Sequence, residues 1–129
     1  MDEISNQQLI EVIADFLEMG HVDNIVAMFK QDPSCLNMAG ELIQDERFRV
    51  RMGMAVLFEE LALIMPAAML TRSVPSLAAL TDHAAPYVRG DAAHLLATIG
   101  SAAALRALMA FRADSDPQVA AIAAEALAG

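Results

Sequence analysis

The feature that constrains this chain most is a repeat 31 residues long. Pro86, Val88, Ala92 and Leu96 recur as Pro117, Val119, Ala123 and Leu127. The segments ahead of the prolines match at the same offset, with Val74, Leu77 and Leu80 falling on Leu105, Leu108 and Phe111. A fixed period of roughly 20–50 residues, with helical spacing inside it, marks stacked helix pairs. One such pair cannot bury its apolar face alone, so it needs neighbours on which to stack.

Each copy has a local physical logic. Proline suits the first helical position, because it has no N–H to satisfy and its φ is already helical. Ser115 and Asp116, just before Pro117, are placed to cap the free N–H groups. Val88, Ala92, Leu95 and Ile99 then share one helical face. Gly100 ends that helix and Ser101 can start the next.

Upstream, Ser5 and Gln8 have capping-box spacing, with Ile4 and Leu9 set as a hydrophobic staple. Leu9, Ile13, Phe16 and Leu17 give the first helix its apolar face, and Gly20 closes it. Asp23 can cap a second helix carrying Ile25, Val26 and Phe29. Asp32-Pro33 can start a third through Cys35, Leu36, Ala39, Leu42 and Ile43. Asp45 can cap a longer fourth through Val50, Met54, Leu57 and Leu61. The register then breaks: Val50 to Val88 is 38 residues, and Pro66 and Pro75 interrupt the surplus. A kink or short helix is expected at 66–71, and another helix at 75–81. No segment alternates with period two long enough to predict a strand. The expectation is an all-α chain of seven or eight helices in a short right-handed solenoid. Its 129 residues form one domain, with 1–44 a diverged N-terminal cap and 45–129 the recognisable repeats.

Composition narrows the function. The net charge is −9, and residues 1–46 hold ten acids against one base, Lys30. Nucleic-acid binding needs a basic stripe, and anionic membranes attract basic segments, so neither partner fits. The longest apolar run, 61–70, is too short to span a bilayer and contains Pro66. The acidic start is not that of a signal peptide, and the single Cys35 leaves no disulfide framework; both point to a reducing cytoplasm.

The run Pro86-Tyr87-Val88-Arg89-Gly90-Asp91-Ala92-Ala93, its partner Asp116-Pro117-Gln118-Val119 and the diverged Phe48-Arg49-Val50-Arg51-Met52-Gly53-Met54-Ala55 resemble the HEAT-repeat family. The likeness is to its short form, related to bilin-lyase-like repeats, which reads Asp-x-x-Pro-x-Val-Arg-x-x-Ala-Ala-x-x-Leu-Gly. The resemblance covers about 45–129 and implies an α-solenoid. It also implies an Asp/Arg ladder between repeats, through Arg51 and Arg89 with Asp82, Asp114 or Asp91. Ala120 replaces the arginine in the last copy. The run from Val50 to Ala62, followed by Val88-Arg89-Gly90-Asp91, is similar to a helical module found beside thioredoxin-like domains in some bacterial proteins. This chain has no CxxC, so it would be the non-catalytic partner of such a domain.

Side-chain chemistry adds little. His21, His83 and His94 are far apart, and none has a cysteine or carboxylate at metal-ligand spacing. They read as structural or surface groups. Cys35 lies near a helix start, which favours a thiolate, yet its neighbours look like core. Met52, Met54, Met65 and Met69 could form a soft-metal site, but methionine more often fills gaps in cores. Glu59-Glu60 reads as a solvated edge. With no nucleophile–base pair and no phosphate loop, the expectation is a protein without catalytic activity or cofactor, a scaffold or adaptor for a protein partner. The alternative that the resemblance implies is a lyase- or chaperone-like factor acting on a partner's cofactor or cysteine. The helix from Pro117 has one charged residue, Glu125, and a weakly apolar outer side. A homodimer through Ala120, Ala121, Ile122 and Ala124 is therefore also expected.

Overall fold

The computed structural model describes residues 5–129. Ser5 opens α1 (Asn6–Glu18): its Oγ accepts the Gln8 N–H at 3.2 Å, and Gln8 Oε1 accepts the Ser5 N–H at 2.9 Å. This is the reciprocal box that the spacing implies. The expected staple involves Ile4, which lies outside the described residues. Gly20 takes φ +84°. Its N–H reaches Leu17 O and the His21 N–H reaches Phe16 O, a pair of bonds that closes α1.

Of the next three starts, the one at Asp32 is as expected and the caps of the other two differ. α2 (Val22–Gln31) begins after His21, and Asp23 sits inside its first turn, where it favours the helix dipole without capping. Asp32 does cap, taking Ser34 N–H and Oγ–H, but the segment Pro33–Met38 winds as a 3₁₀ helix before one turn of α3 (Ala39–Leu42). α4 (Phe48–Ile64) starts after Arg47, not at Asp45. Asp45 instead accepts the Arg47 N–H and two guanidinium bonds, at 2.9, 3.0 and 2.9 Å.

Pro66 stops α4, and α5 (Ala67–Leu70) follows as a single turn. After the 3₁₀ turn Thr71–Ser73 come α6 (Val74–Ala78) and the 3₁₀ turn Ala79–Asp82. α7 (Pro86–Ile99) and α9 (Pro117–Ala128) both carry proline at the first position. Between them lies α8 (Ala102–Leu108), capped by Ser101 Oγ and continued by a 3₁₀ turn, Met109–Phe111. The chain is all-α, and no strand occurs among the described residues.

Packing follows two rows. α1 lies on α4, α4 on α7, and α7 on α9; the 3₁₀ segment 33–38 and α3 lie on α6, and α6 on α8. Val50, Met54, Leu57 and Leu61 point into one continuous core with Val88, Leu95, Leu96, Phe111 and Val119. The repeat equivalents Val88 and Val119 are both buried, as are Ala92 and Ala123. Two close polar contacts join the second row. Buried Ser73 donates from Oγ to Leu36 O at 2.8 Å, and the Gly40 N–H donates to Ser76 Oγ at 2.9 Å. No described helix is long and apolar enough to cross a membrane.

Candidate functional site

With one side of α4 committed to the core, its other side carries Phe48, Met52 and Val56 at four-residue spacing. They remain 60%, 50% and 40% exposed. Contiguous exposed apolar side chains are the kind of surface that partner proteins cover. Neighbouring helices extend the stripe in both directions. Toward α1, Met52 and Val56 share a hollow with Met19. Toward α7, the Arg51 guanidinium carbon sits 5.5 Å from the Phe48 ring centroid and 4.3 Å from that of Tyr87. Tyr87 in turn borders a groove that reaches Ile122 on α9. The result is an apolar strip crossing α1, α4, α7 and α9, with Arg51 at its centre.

Arg51 is held from three sides. Both rings offer their negative faces to its charge. Its Nη1 donates to Asp91 Oδ2 at 3.2 Å. Its Nε is buried and meets no acceptor among the described residues. Burial pushes the Asp91 carboxyl above the usual carboxylate range, although the Arg51 hydrogen bond and charge oppose that shift.

Arg89, the repeat equivalent of Arg51, does different work. Its Nε and Nη2 grip Asp114 at 2.8 and 3.1 Å, and its Nη1 donates to His83 O at 2.7 Å. The Arg89 and Asp114 side chains are only 12% and 5% exposed. The bidentate bond from Arg89 holds the Asp114 carboxyl below its ordinary value. Arg89 therefore ties two inter-helix turns together, whereas Arg51 bridges two helices. The two arginines do not repeat one pattern, and among the described residues neither bonds to Asp82, which is exposed.

A smaller regularity escaped the sequence reading. Asp45 accepts the Arg47 N–H, His83 Nδ1 accepts the Ala85 N–H at 3.0 Å, and Asp114 accepts the Asp116 N–H at 2.8 Å. Asp45 and His83 are 38 residues apart, the spacing of Val50 and Val88; His83 and Asp114 are 31 apart, the spacing of the prolines. One turn position thus recurs three times, with an imidazole replacing the carboxylate in the middle copy.

Elsewhere the candidate groups do not converge. Cys35 is buried, and that burial, with the nearby Asp32 charge, pushes its thiol up, away from a reactive thiolate. Met54 is in the core while Met52 is exposed; Met65 and Met69 pack at the core margin. No group of three His, Cys, Asp or Glu among the described residues is placed to hold a metal ion. On α9, Ala121 and Ala124 are exposed, whereas Ala120 and Ile122 are half-buried. The chain matches no family model, no curated protein and no solved structure.

Proposed function

We propose that this chain is a non-catalytic protein-interaction scaffold built from HEAT-like helix pairs stacked in a short right-handed solenoid. A partner protein docks on the strip across α1, α4, α7 and α9. The solenoid reading is supported by the 31-residue offset, which puts Pro86 and Pro117 at the same place in α7 and α9 and buries the same positions behind them. The succession α1–α4–α7–α9 of packed helices agrees with it. The docking reading is carried by the exposed stripe Phe48, Met52 and Val56, extended by Tyr87. Aromatic, methionine and arginine side chains are the types enriched at protein interfaces. Against a thiol nucleophile stands the burial of Cys35, which favours its protonated form.

The test is quantitative capture from the native host with tagged protein, comparing the parent with Met52→Glu and Met109→Glu. Both positions are exposed methionines, but Met109 follows α8 in the other row. One or more specific partners should be lost with Met52→Glu and kept with Met109→Glu. Equal retention by both variants would overturn the assignment of the face.

A further inference from the structure

Where the strip passes from α7 to α9 it deepens into a groove of about 630 Å³. That volume lies in the usual range of ligand clefts. Tyr87, Val119 and Ile122 supply apolar wall, and Asp91 and Asp116 supply the charge. No lysine or arginine is among its lining residues, and Arg51 touches it only from the α4 side, through Asp91 and Tyr87. Each carboxylate is half engaged. Asp91 Oδ2 takes Arg51, while its Oδ1 has no partner among the described residues. Asp116 Oδ1 caps α9 through the Gln118 and Val119 N–H groups at 2.8 and 3.3 Å, and its Oδ2 likewise has none.

We propose that this groove receives an arginine side chain from a peptide segment of a partner protein. Three observations support that choice of occupant. Two carboxylates, Asp91 and Asp116, stand against the single cation Arg51, which reaches Asp91 from α4, so the groove keeps an excess of negative charge complementary to a positive one. Tyr87, Val119 and Ile122 suit the methylene stem that a long cationic side chain lays along apolar surface. A guanidinium presents several donors in one plane, and this chain already uses Arg47 to join two carboxylates, Asp15 and Asp45. Continuity with the apolar strip makes the occupant part of a peptide and not a free small cation. The proposal rests on the docking reading of the strip but is tested separately from it.

The probe is N-acetyl-Leu-Arg-Leu-amide, titrated into the isotopically labelled full chain and followed by amide chemical shifts. Saturable shifts should cluster at Tyr87, Gly90, His94 and Gln118. The peptide with Gln in place of Arg should bind about tenfold more weakly, roughly the worth of one charge-assisted hydrogen bond. Asp91→Asn and Asp116→Asn should each weaken the Arg peptide by a similar factor. Asn remains a good helix cap, so the second variant should keep α9. Equal binding of the Gln peptide, unchanged affinity in both Asn variants, or shifts confined to other faces would overturn the proposal. So would sedimentation showing a dimer at the titration concentration that Ile122→Glu disrupts, since a second copy would then fill the groove. Loss of the arginine effect with the Met52→Glu capture result intact would remove this occupant and leave the docking face standing.

Discussion

Gly40→Ala should be among the most damaging single-methyl additions to this protein. Gly40 lies in α3, and its N–H donates to Ser76 Oγ in α6. A Cβ at this position would lie 2.7 Å from the Ser76 carbonyl carbon, nearer still to its oxygen, and 2.9 Å from Ser76 Cβ. The first two are backbone atoms, so no rotamer change can clear them; α3 and α6 must move apart. Overpacking of this kind costs about 1–3 kcal/mol. Losing the Gly40–Ser76 hydrogen bond as the helices separate adds about 1 kcal/mol. Alanine's better helix propensity returns less than about 1 kcal/mol. The net expectation is a loss of about 2 kcal/mol, or a melting point lower by roughly 8 °C for a domain of this size. Gly90→Ala is the control, because its Cβ would meet only Val119 Cγ2, at an ordinary 3.7 Å. It should stabilise by about 0.5–1 kcal/mol as a mid-helix glycine removed. Urea unfolding followed by circular dichroism reads both. A Gly40→Ala variant within about 0.5 kcal/mol of the parent would refute the close approach of α3 and α6.

Leu95 is 2% exposed in α7, so Leu95→Ala should cost about 2–5 kcal/mol in the same assay, and a loss below about 0.5 kcal/mol would contradict its place in the core. His83→Ala should cost about 1 kcal/mol by stripping the Ala85 N–H of its acceptor. His83→Asp should cost nothing measurable, because Asp45 and Asp114 fill the same turn position; equal losses in both variants would remove the shared-turn account. Arg89 lowers the folded-state value of Asp114 below 3.8, so this carboxylate contributes stability above pH 3.8 that is lost as pH falls through its folded value. Asp91 is shifted the other way, so its contribution is greatest below 3.8 and declines as pH rises through its folded value. Asp114→Asn should therefore flatten the acid limb of the stability–pH curve, and a variant curve parallel to the parent's would refute the assignment.

The parts of the fold legible in the sequence are those decided locally. The Ser5–Gln8 box, the glycines at 20 and 100, the Ser101 cap and the prolines at 86 and 117 each act within one turn of chain. The third helix starts at Asp32-Pro33 and buries the side chains its sequence implies, but its 3₁₀ winding is not legible there, because distant partners hold it, with Leu36 O and Gly40 N–H bonded to residues of 71–78. Asp45 looks like a cap in sequence, but the Arg47 guanidinium competes for it two residues on. The strip was hidden by the composition of α4, which is apolar on nearly every side. Even so, once Val50, Met54, Leu57 and Leu61 are assigned inward, Phe48, Met52 and Val56 are left outward at four-residue spacing. That remainder is the signal that could have found it. The pairing of Tyr87 and Phe48 around Arg51 depends on α4 meeting α7, which no local pattern encodes.

The central claim is that the strip across α1, α4, α7 and α9 is the working surface. A photoreactive phenylalanine derivative placed in turn at positions 52, 56, 79, 87 and 109 in the native host tests it most directly. Positions 52, 56 and 87 lie on the strip; 79 and 109 are exposed in the other row of helices. The account predicts that the three strip positions crosslink to the same protein and that the other two do not. Crosslinks to one protein from 79 and 109, with none from 52, 56 or 87, would contradict it.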